Sequence, residues 1–255
     1  MKPFADFSLT HGICGLCKAK GLSILDREIE HSKRLSECQY KLYDAGRTGD
    51  LEAAEDIIHR ALSFGLRPVD IMIRLIAPML YAIGDAWERG TVSVAIEHQF
   101  TAFSEKVFDA LNSRRNGSEQ TTGEGTGPKI LMLNAYENTH TLGIRILAMY
   151  LKRLGFDARV LSESISTPEV LAECQALRPA AVLISLALVE QRPHVASVTE
   201  SLAASAGCKP PLIAVGGYAI KMGLVRPIPG TRFVTYITDL VDLLRQLPNE
   251  GTSTT

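Results

Sequence analysis

Apolar residues in the first part of the chain recur at helical spacing and are interrupted by turn residues. This pattern predicts four consecutive helices, with Asp50 capping the second, Pro68 opening the third and Ser93 capping the fourth. Gly65 and Gly90 supply the stop signals of the second and third helices. The first helix is expected to end before a glycine at position 46, and the four predicted ranges are 25–45, 51–65, 69–90 and 94–112.

The pattern changes after residue 128, where short apolar runs alternate with helical segments. Runs rich in β-branched residues, separated by helices, are typical of a parallel sheet covered on both faces. The chain is therefore expected to be an α/β protein with a small helical bundle in front of the sheet. The predicted strands are 129–134, 157–161, 180–185 and 211–217, and the predicted helices are 141–155, 167–177, 193–206 and 238–247.

Residues 114–128 separate these two patterns. They lack periodicity and are rich in Gly, Ser, Thr and Glu, which is typical of a linker. The chain is accordingly divided into an N-terminal arm with a helix (1–45), a helical domain (46–113), a linker (114–127) and an α/β domain (128–250).

Composition limits the function further. Lys and Arg number 27 and Asp and Glu 28, for a net charge of −1, which argues against a nonspecific nucleic-acid binder. No apolar run reaches the length of a membrane span, and the N-terminus lacks the apolar stretch of a signal peptide. Five cysteines do not form an obvious disulfide framework, so a cytoplasmic protein without membrane attachment is expected.

The residues most suggestive of chemistry follow the predicted strands. Ligands of open α/β sheets bind at the carboxyl ends of the strands, so these loops are well placed to form a site. His140 alone would most simply be a solvated loop residue, but it is accompanied by two further short motifs. The candidate residues are Asn138, Thr139, His140 and Gly143 after the first strand, Ser185 and Ala187 after the third, and Gly216 and Gly217 after the fourth.

The spacing of these motifs resembles that of the cobalamin-binding Rossmann-like domain, with its Asp-x-His-x-x-Gly, Ser-x-Leu and Gly-Gly motifs. The resemblance covers 128–248 and implies a flavodoxin/Rossmann-like sheet. It implies that His140 replaces the benzimidazole base of cobalamin as the lower cobalt ligand, a role that suits imidazole. It also implies that Ser185 hydrogen-bonds the displaced nucleotide tail and that Gly216 and Gly217 leave room for that tail.

The chain departs from this motif at two positions. Asn138 stands where the family has Asp, and Ala187 stands where it has Leu. The family's Asp accepts the second imidazole N–H and raises the basicity of the ligand. Asn138 is expected to accept the same hydrogen bond without carrying charge, so His140 is expected to be a weaker donor to cobalt.

A second set of candidate residues lies in the helical domain. Trp87, the single tryptophan, precedes Glu97-His98 by nine intervening residues, across the predicted turn at Gly90. Singly, a tryptophan is usually a core residue and Glu-His a solvated pair. Residues 46–113, however, resemble the four-helix cap over the upper face of cobalamin, and Trp-x9-Glu-His resembles its light-sensing branch. The resemblance implies that these three side chains line the space above cobalt.

The residue after Trp87 differs from that in the photoreceptor repressors that bind adenosylcobalamin. Those proteins have a histidine that captures cobalt after photolysis, whereas this chain has Glu88. An upper ligand would then be His98, or His11 in the N-terminal arm.

The arm also contains a metal or redox spacing. His11, Cys14 and Cys17 follow a His-x2-Cys-x2-Cys pattern. A zinc site would need a fourth ligand such as Cys38 or His31, and the alternative is a reduced arm that holds no metal. Two other histidines are predicted to be surface residues, His59 and His194.

About 45 residues precede the cap, too few for a winged helix-turn-helix domain with its dimer helix. This layout resembles the AerR/PpaA-type antirepressors of photosystem gene expression, within the cobalamin-binding light-sensor family. The resemblance implies a regulator without enzymatic activity that binds adenosyl-, methyl- or hydroxocobalamin. The resemblance further implies that this regulator acts through a CrtJ/PpsR-type transcriptional repressor and does not itself read DNA. Two alternatives stay open: a corrinoid methyl carrier of a methyltransferase, and a haem-binding sensor of the same fold.

Overall fold

A computed structural model describes residues 22–118, 127–161, 165–205 and 210–248. The chain forms two compact units, Met1–Glu119 and Gln120–Thr255. The described part of the first unit is helical, and the second unit combines a parallel sheet with helices. The fold class predicted from the hydrophobic pattern is therefore confirmed.

The N-terminal unit contains the four predicted helical segments, the third of which has a π-helical turn. Its core is formed by fully buried apolar side chains such as Leu42, Met79, Phe100 and Leu111. The helices are α1 (Leu22–Thr48), α2 (Leu51–Ser63), α3 (Pro68–Ile71), which continues through the π-helical residues Met72–Ile76 into α4 (Ala77–Glu88), and α5 (Val94–Ser118).

Helix α1 does not end before Gly46, as the sequence predicted. It continues to Thr48 and ends at Gly49. The φ of Gly49 is +74°, a backbone conformation that is strained for residues with a side chain. Gly46 has a packing role instead, because a Cβ at this position would come within 2.4 Å of Phe100 Cε2. The glycine lets α1 approach the buried Phe100 ring of α5 closely.

The π-helical turn has an identifiable cause in Pro78. Proline has no N–H, and its ring crowds the carbonyl four residues earlier in a regular α-helix. The chain widens at this point, and the Ala77 N–H bonds the Met72 carbonyl five residues back. The predicted single helix is thus continuous but locally unwound.

Helix α4 ends as predicted at Gly90, where φ is +69° and the Thr91 N–H bonds the Ala86 carbonyl. Ser93 then caps α5 by accepting the Ile96 N–H at 3.4 Å. Helix α5 continues to Ser118, into the segment predicted as linker. Two arginines at 114 and 115 favour helix, and the first glycine after them is at 117.

The C-terminal unit is built on a five-stranded, fully parallel sheet in the order β2-β1-β3-β4-β5. This order is the flavodoxin-like one, in which the chain reverses direction across the sheet between β1 and β3. The elements are β1 (Lys129–Asn134), α6 (Leu142–Arg153), β2 (Asp157–Val160), α7 (Thr167–Leu177), β3 (Ala181–Ser185), a 3-10 turn (Val189–Gln191), α8 (Arg192–Ala204), β4 (Leu212–Gly216), α9 (Tyr218–Lys221), β5 (Arg232–Phe233) and α10 (Ile237–Arg245).

Both faces of the sheet are buried. Leu131 and Leu133 of β1 belong to one core cluster, and Ile130 and Met132 belong to the other. Alternate residues of a strand point to opposite faces, so helices cover both sides of the sheet. This explains why the central strands β1, β3 and β4 contain continuous apolar runs in the sequence.

Strand β5 and helix α9 were not predicted, since two-residue and four-residue elements carry no measurable periodicity. None of the described helices is both long enough and apolar enough to cross a membrane.

Candidate functional site

The three motifs of the α/β unit meet in one row at the carboxyl edge of the sheet. Asn134, the last residue of β1, pairs in register with Ser185, the last residue of β3. Ser185 in turn pairs with Gly216, the last residue of β4. The loop that carries His140, the Ser185 segment and the glycine pair therefore begin side by side.

Asn138 holds the His140 loop together from the inside. Its residue exposure is 3%, its Oδ1 accepts the His140 backbone N–H at 3.0 Å, and its Nδ2 donates to the Ser185 carbonyl at 3.2 Å. The sequence predicted that this oxygen would accept an N–H of the His140 ring. In the structure the oxygen bonds the backbone amide of His140 instead, because the short side chain turns back into its own loop.

The His140 ring is exposed and has no hydrogen-bond partner among the described residues. Among these residues, only the hydrogen bonds of the loop backbone hold His140 in place. Thr139 beside it is also exposed. Gly143, two residues after Thr141, has open space where a Cβ would stand. The surface next to His140 is thus unobstructed at the start of α6.

Asn134 was not singled out from the sequence. It is almost fully buried, and its Nδ2 donates to the Asn138 carbonyl at 3.3 Å and to the His140 carbonyl at 3.5 Å. Its Oδ1 is buried without a hydrogen-bond partner among the described residues. An asparagine at the end of an apolar strand, where one more apolar residue would fit, is the signal that could have identified it.

His194 was predicted to be a surface residue, but it is half-buried. Its Nδ1 accepts the Tyr136 backbone N–H at 3.0 Å, and its Nε2 is buried beside the backbone of Ile165. The Tyr136 ring lies 5.8 Å from the imidazole, centroid to centroid. Burial lowers the pKa of His194, and the backbone of Ile165 partly opposes that shift.

The glycine pair is required by the protein's own backbone. Gly217 has φ +112° and ψ −178°, and a Cβ there would lie 2.4 Å from the Leu186 carbonyl oxygen. A Cβ at Gly216 would lie 3.2 Å from the Val234 carbonyl oxygen. The predicted role of these glycines in admitting a nucleotide tail stays a prediction, and close packing of the strand ends is a second, observed reason for them.

The segment after β3 is shaped by Gln191. Its buried side-chain carbonyl accepts the backbone N–H groups of Ala187 and Leu188 at 3.0 and 3.1 Å. Ser185 is half-buried, and its hydroxyl makes no hydrogen bond to the described residues. The hydroxyl that the motif assigns to a ligand is therefore not engaged by these residues.

Exposed apolar side chains concentrate at the same edge of the sheet. Among the described residues of the C-terminal unit, every exposed large hydrophobic except Leu154 lies in a segment that follows a strand, either directly or, for Met222 and Leu224, after the four-residue helix α9. Exposed apolar surface of this kind marks a binding region more often than chance exposure does. The residues are Tyr136, Leu188, Val189, Met222, Leu224 and Tyr236.

In the N-terminal unit Trp87 is not a core residue, since 48% of it is exposed. Glu97 accepts the Thr101 hydroxyl at 3.0 Å, and its other carboxylate oxygen lies 3.5 Å from His98 Nε2. The His98 side chain is 75% exposed, whereas that of Glu97 is 14% exposed. Glu97 is thus fixed and His98 is free to turn. The pocket shared with Trp87 stays a prediction.

The predicted metal or redox residues of the N-terminal arm, His11, Cys14 and Cys17, lie outside the described residues. Within the described ranges no three His, Cys, Asp or Glu side chains group as a metal site. Cys38, considered above as a zinc ligand, is a buried free thiol whose pKa is raised by burial.

These features fit a corrinoid. The corrin ring supplies the equatorial ligands of its cobalt, so the protein needs to present one imidazole, here the unengaged ring of His140. The open space at Gly143 would admit a large planar ring beside it. The unengaged Ser185 hydroxyl stands one strand away, in the same row of strand ends.

Comparison with known proteins gives the same assignment. A model of a B12 binding domain matches residues 39–112, and a second B12 binding domain model matches residues 128–222. No curated protein matches the chain.

Among solved structures, the monomethylamine corrinoid protein of Methanosarcina barkeri is 14% identical, with a TM-score of 0.67. That match covers 82% of this chain and 97% of the other. The methanol:cobalamin methyltransferase complex MtaBC of the same organism is 15% identical, with a TM-score of 0.42, and covers 94% and 95%. A cobalamin-binding protein of Desulfitobacterium hafniense DCB-2 is 14% identical, with a TM-score of 0.40, and covers 80% and 95%. Residues 39–112 and 128–222 therefore each match a B12 binding domain family.

Proposed function

We propose that this protein is a cobalamin-binding regulator whose state changes with light and which acts on a transcriptional repressor. The observation that carries the proposal is the His140 ring. It is exposed, is not engaged by the described residues, and is presented from the row of strand ends that the B12-binding motif occupies. The two B12 binding domain matches support cobalamin as the ligand.

On the lower side, His140 would ligate cobalt and Ser185 would hydrogen-bond the nucleotide tail. The Asn138 side chain already hydrogen-bonds the loop backbone. It therefore holds the backbone of His140 in place and does not raise the basicity of the imidazole. The ring nitrogen that does not face the metal is then left to solvent. We therefore expect weaker electron donation to cobalt than from a carboxylate-paired imidazole.

On the upper side, Trp87, Glu97 and His98 are the residues assigned to the space above cobalt. When bound, an alkylcobalamin supplies a photolabile bond between cobalt and carbon. Glu97 is half-buried, accepts the Thr101 hydroxyl, and has its other carboxylate oxygen 3.5 Å from His98 Nε2. His98, largely exposed, is free to turn toward a vacated position.

The proposed output is a change in binding to another protein. A light switch needs two states that differ in what a partner contacts. The net charge of −1 supplies no nonspecific attraction for DNA. A CrtJ/PpsR-type repressor of photosystem genes is the proposed partner, and the illuminated, cobalamin-loaded form is expected to weaken that repressor's hold on DNA.

The test begins with purified protein reconstituted in the dark with methyl- or adenosylcobalamin. Absorption spectra are recorded before and after illumination for wild type, for His98→Ala and for His59→Ala, which replaces an exposed histidine elsewhere in the same unit. Light should give a stable new spectrum in wild type and in His59→Ala, and a different one in His98→Ala. The repressor should be pulled down by the illuminated form and released from a DNA fragment.

A corrinoid methyl carrier is the second candidate. The fold likeness to the monomethylamine corrinoid protein, which extends over 82% of this chain, favours it. Methyl transfer by a methyltransferase, together with repressor binding that is the same in the dark and after illumination, would replace the light-responsive proposal with this one. Retention of haem in place of cobalamin in the same reconstitution would instead favour the haem sensor.

A further inference from the structure

We infer that His194 is a positioning residue for His140, acting through the backbone of the loop between them. The inference rests on the proposed function, in which His140 ligates cobalt. His194 lies at the start of α8 and bonds the Tyr136 N–H across 58 positions of sequence. This bond ties the loop after β1 to the helix that follows β3.

The loop after β1 contains a residue in a strained backbone conformation. Tyr136 and Glu137 form a turn in which Glu137 has a φ of +64°, a conformation that non-glycine residues adopt only when their surroundings impose it. Directly afterwards the chain is held from the sheet side, by Asn134 and Asn138. The hydrogen bond from the Tyr136 N–H to His194 attaches the beginning of the same turn to helix α8.

The protonation state of His194 follows from its bonds. Because Nδ1 accepts an N–H, the proton of the neutral ring is on Nε2, which is buried beside the backbone of Ile165. The two ring nitrogens thus have different surroundings, and it is Nδ1 that holds the loop after β1. A leucine could fill the same space but could not accept the Tyr136 N–H.

The experiment compares two replacements in the full chain. His194→Leu removes the acceptor, whereas His194→Asn places a carbonyl oxygen near the position of Nδ1 and should preserve the bond. In the protein without cobalamin, amide hydrogen exchange of Tyr136 should be about tenfold faster or more in His194→Leu than in wild type, and near wild type in His194→Asn. If His194→Leu does not fold, His194→Met removes the same acceptor with a side chain that adapts to gaps.

The second readout is cobalamin itself. His194→Leu should weaken hydroxocobalamin binding about tenfold, an energy of about 1.4 kcal/mol, and shift the absorption spectrum away from the histidine-ligated form. In a His140→Ala background the same replacement should have no further effect on binding or spectrum.

Failure of the positioning role and failure of the proposed function give different results. Unchanged amide exchange of Tyr136 in His194→Leu would overturn the positioning role, whatever the protein binds. Faster exchange with unchanged cobalamin binding and spectrum in His194→Leu would also overturn it, provided that His140→Ala loses binding. If His140→Ala binds cobalamin as wild type does, lower-face ligation in the proposed function fails instead.

Discussion

Replacing Gly217 by alanine tests how the strand ends are packed around the site. The new Cβ would meet three backbone atoms of Leu186, the carbonyl oxygen at 2.4 Å, the nitrogen at 2.8 Å and the carbonyl carbon at 2.9 Å. Backbone cannot turn aside as a side chain does. Leu186 is further held by its N–H bond to the Gly216 carbonyl at 2.8 Å, so relief requires moving the end of β3 away from β4.

Two costs add at this position. A non-glycine residue at φ +112° and ψ −178° is strained by about 1–3 kcal/mol. Forcing a methyl group into a packed region costs about 1–3 kcal/mol more. A total near 4 kcal/mol is a large part of the roughly 5–15 kcal/mol that stabilises a typical domain.

The assay is urea unfolding of the full chain followed by two signals. Far-UV circular dichroism reports both units, whereas fluorescence reports Trp87, the single tryptophan, in the N-terminal unit. With a urea slope of about 2 kcal/mol per molar, the midpoint of the C-terminal unit should fall by about 2 M. The matched control is Gly143→Ala, where nothing lies within 4 Å of the new Cβ, and its midpoint should be unchanged or slightly higher.

Equal urea midpoints of the C-terminal unit in Gly217→Ala and wild type would show that Leu186 and Gly217 can move apart at little cost. Tight packing of the two strand ends would then be refuted. A fall in the Trp87 fluorescence midpoint as large as that of the C-terminal unit would also contradict it, because the strain is local to the sheet edge.

Three further outcomes follow from other parts of the structure. An NMR titration should give His194 a pKa below the ordinary value of 6.5, with the signal assigned by its loss in His194→Gln; a pKa at or above 6.5 would contradict the burial described here. Cys174, whose pKa is raised to about 11 by burial, should react with thiol reagents at pH 8 only after unfolding, and prompt labelling of Cys174 in the folded protein, located by peptide mapping, would refute this. Gly46→Ala should lower the unfolding midpoint of the N-terminal unit by forcing Phe100 aside, whereas Gly84→Ala, with nothing within 4 Å of its Cβ, should not; equal effects would be inconsistent with the observed packing.

Much of the fold follows from local signals in the sequence. The three central strands β1, β3 and β4 contain apolar runs because both faces of the sheet are buried, and β1 and α7 have the predicted bounds. Asp50 and Gly90 act as helix signals, as predicted. The errors come where tertiary contacts override such signals, as at Gly46, which serves the packing of Phe100 rather than the end of a helix.

In the candidate site, too, some residues could be predicted from the sequence and others could not. The motif residues could be found because their spacing along the chain is fixed by strand and helix lengths. His194 could not, because its partner is a backbone N–H 58 positions away and no sequence pattern records such a bond. Asn138 was found, but its hydrogen bonds were misassigned, since spacing does not specify whether an amide oxygen turns toward a ring or toward its own backbone.

The most direct test of the account is whether an imidazole nitrogen of this protein is bound to cobalt. The protein is labelled with 15N-histidine, loaded with cobalamin, reduced to the cobalt(II) form and measured by electron paramagnetic resonance. If His140 is the ligand, the nitrogen splitting changes from that of 14N to that of 15N on labelling, and this splitting is lost in His140→Ala. A splitting that is unaffected by labelling would show that cobalamin keeps its own base, and would contradict ligation by His140.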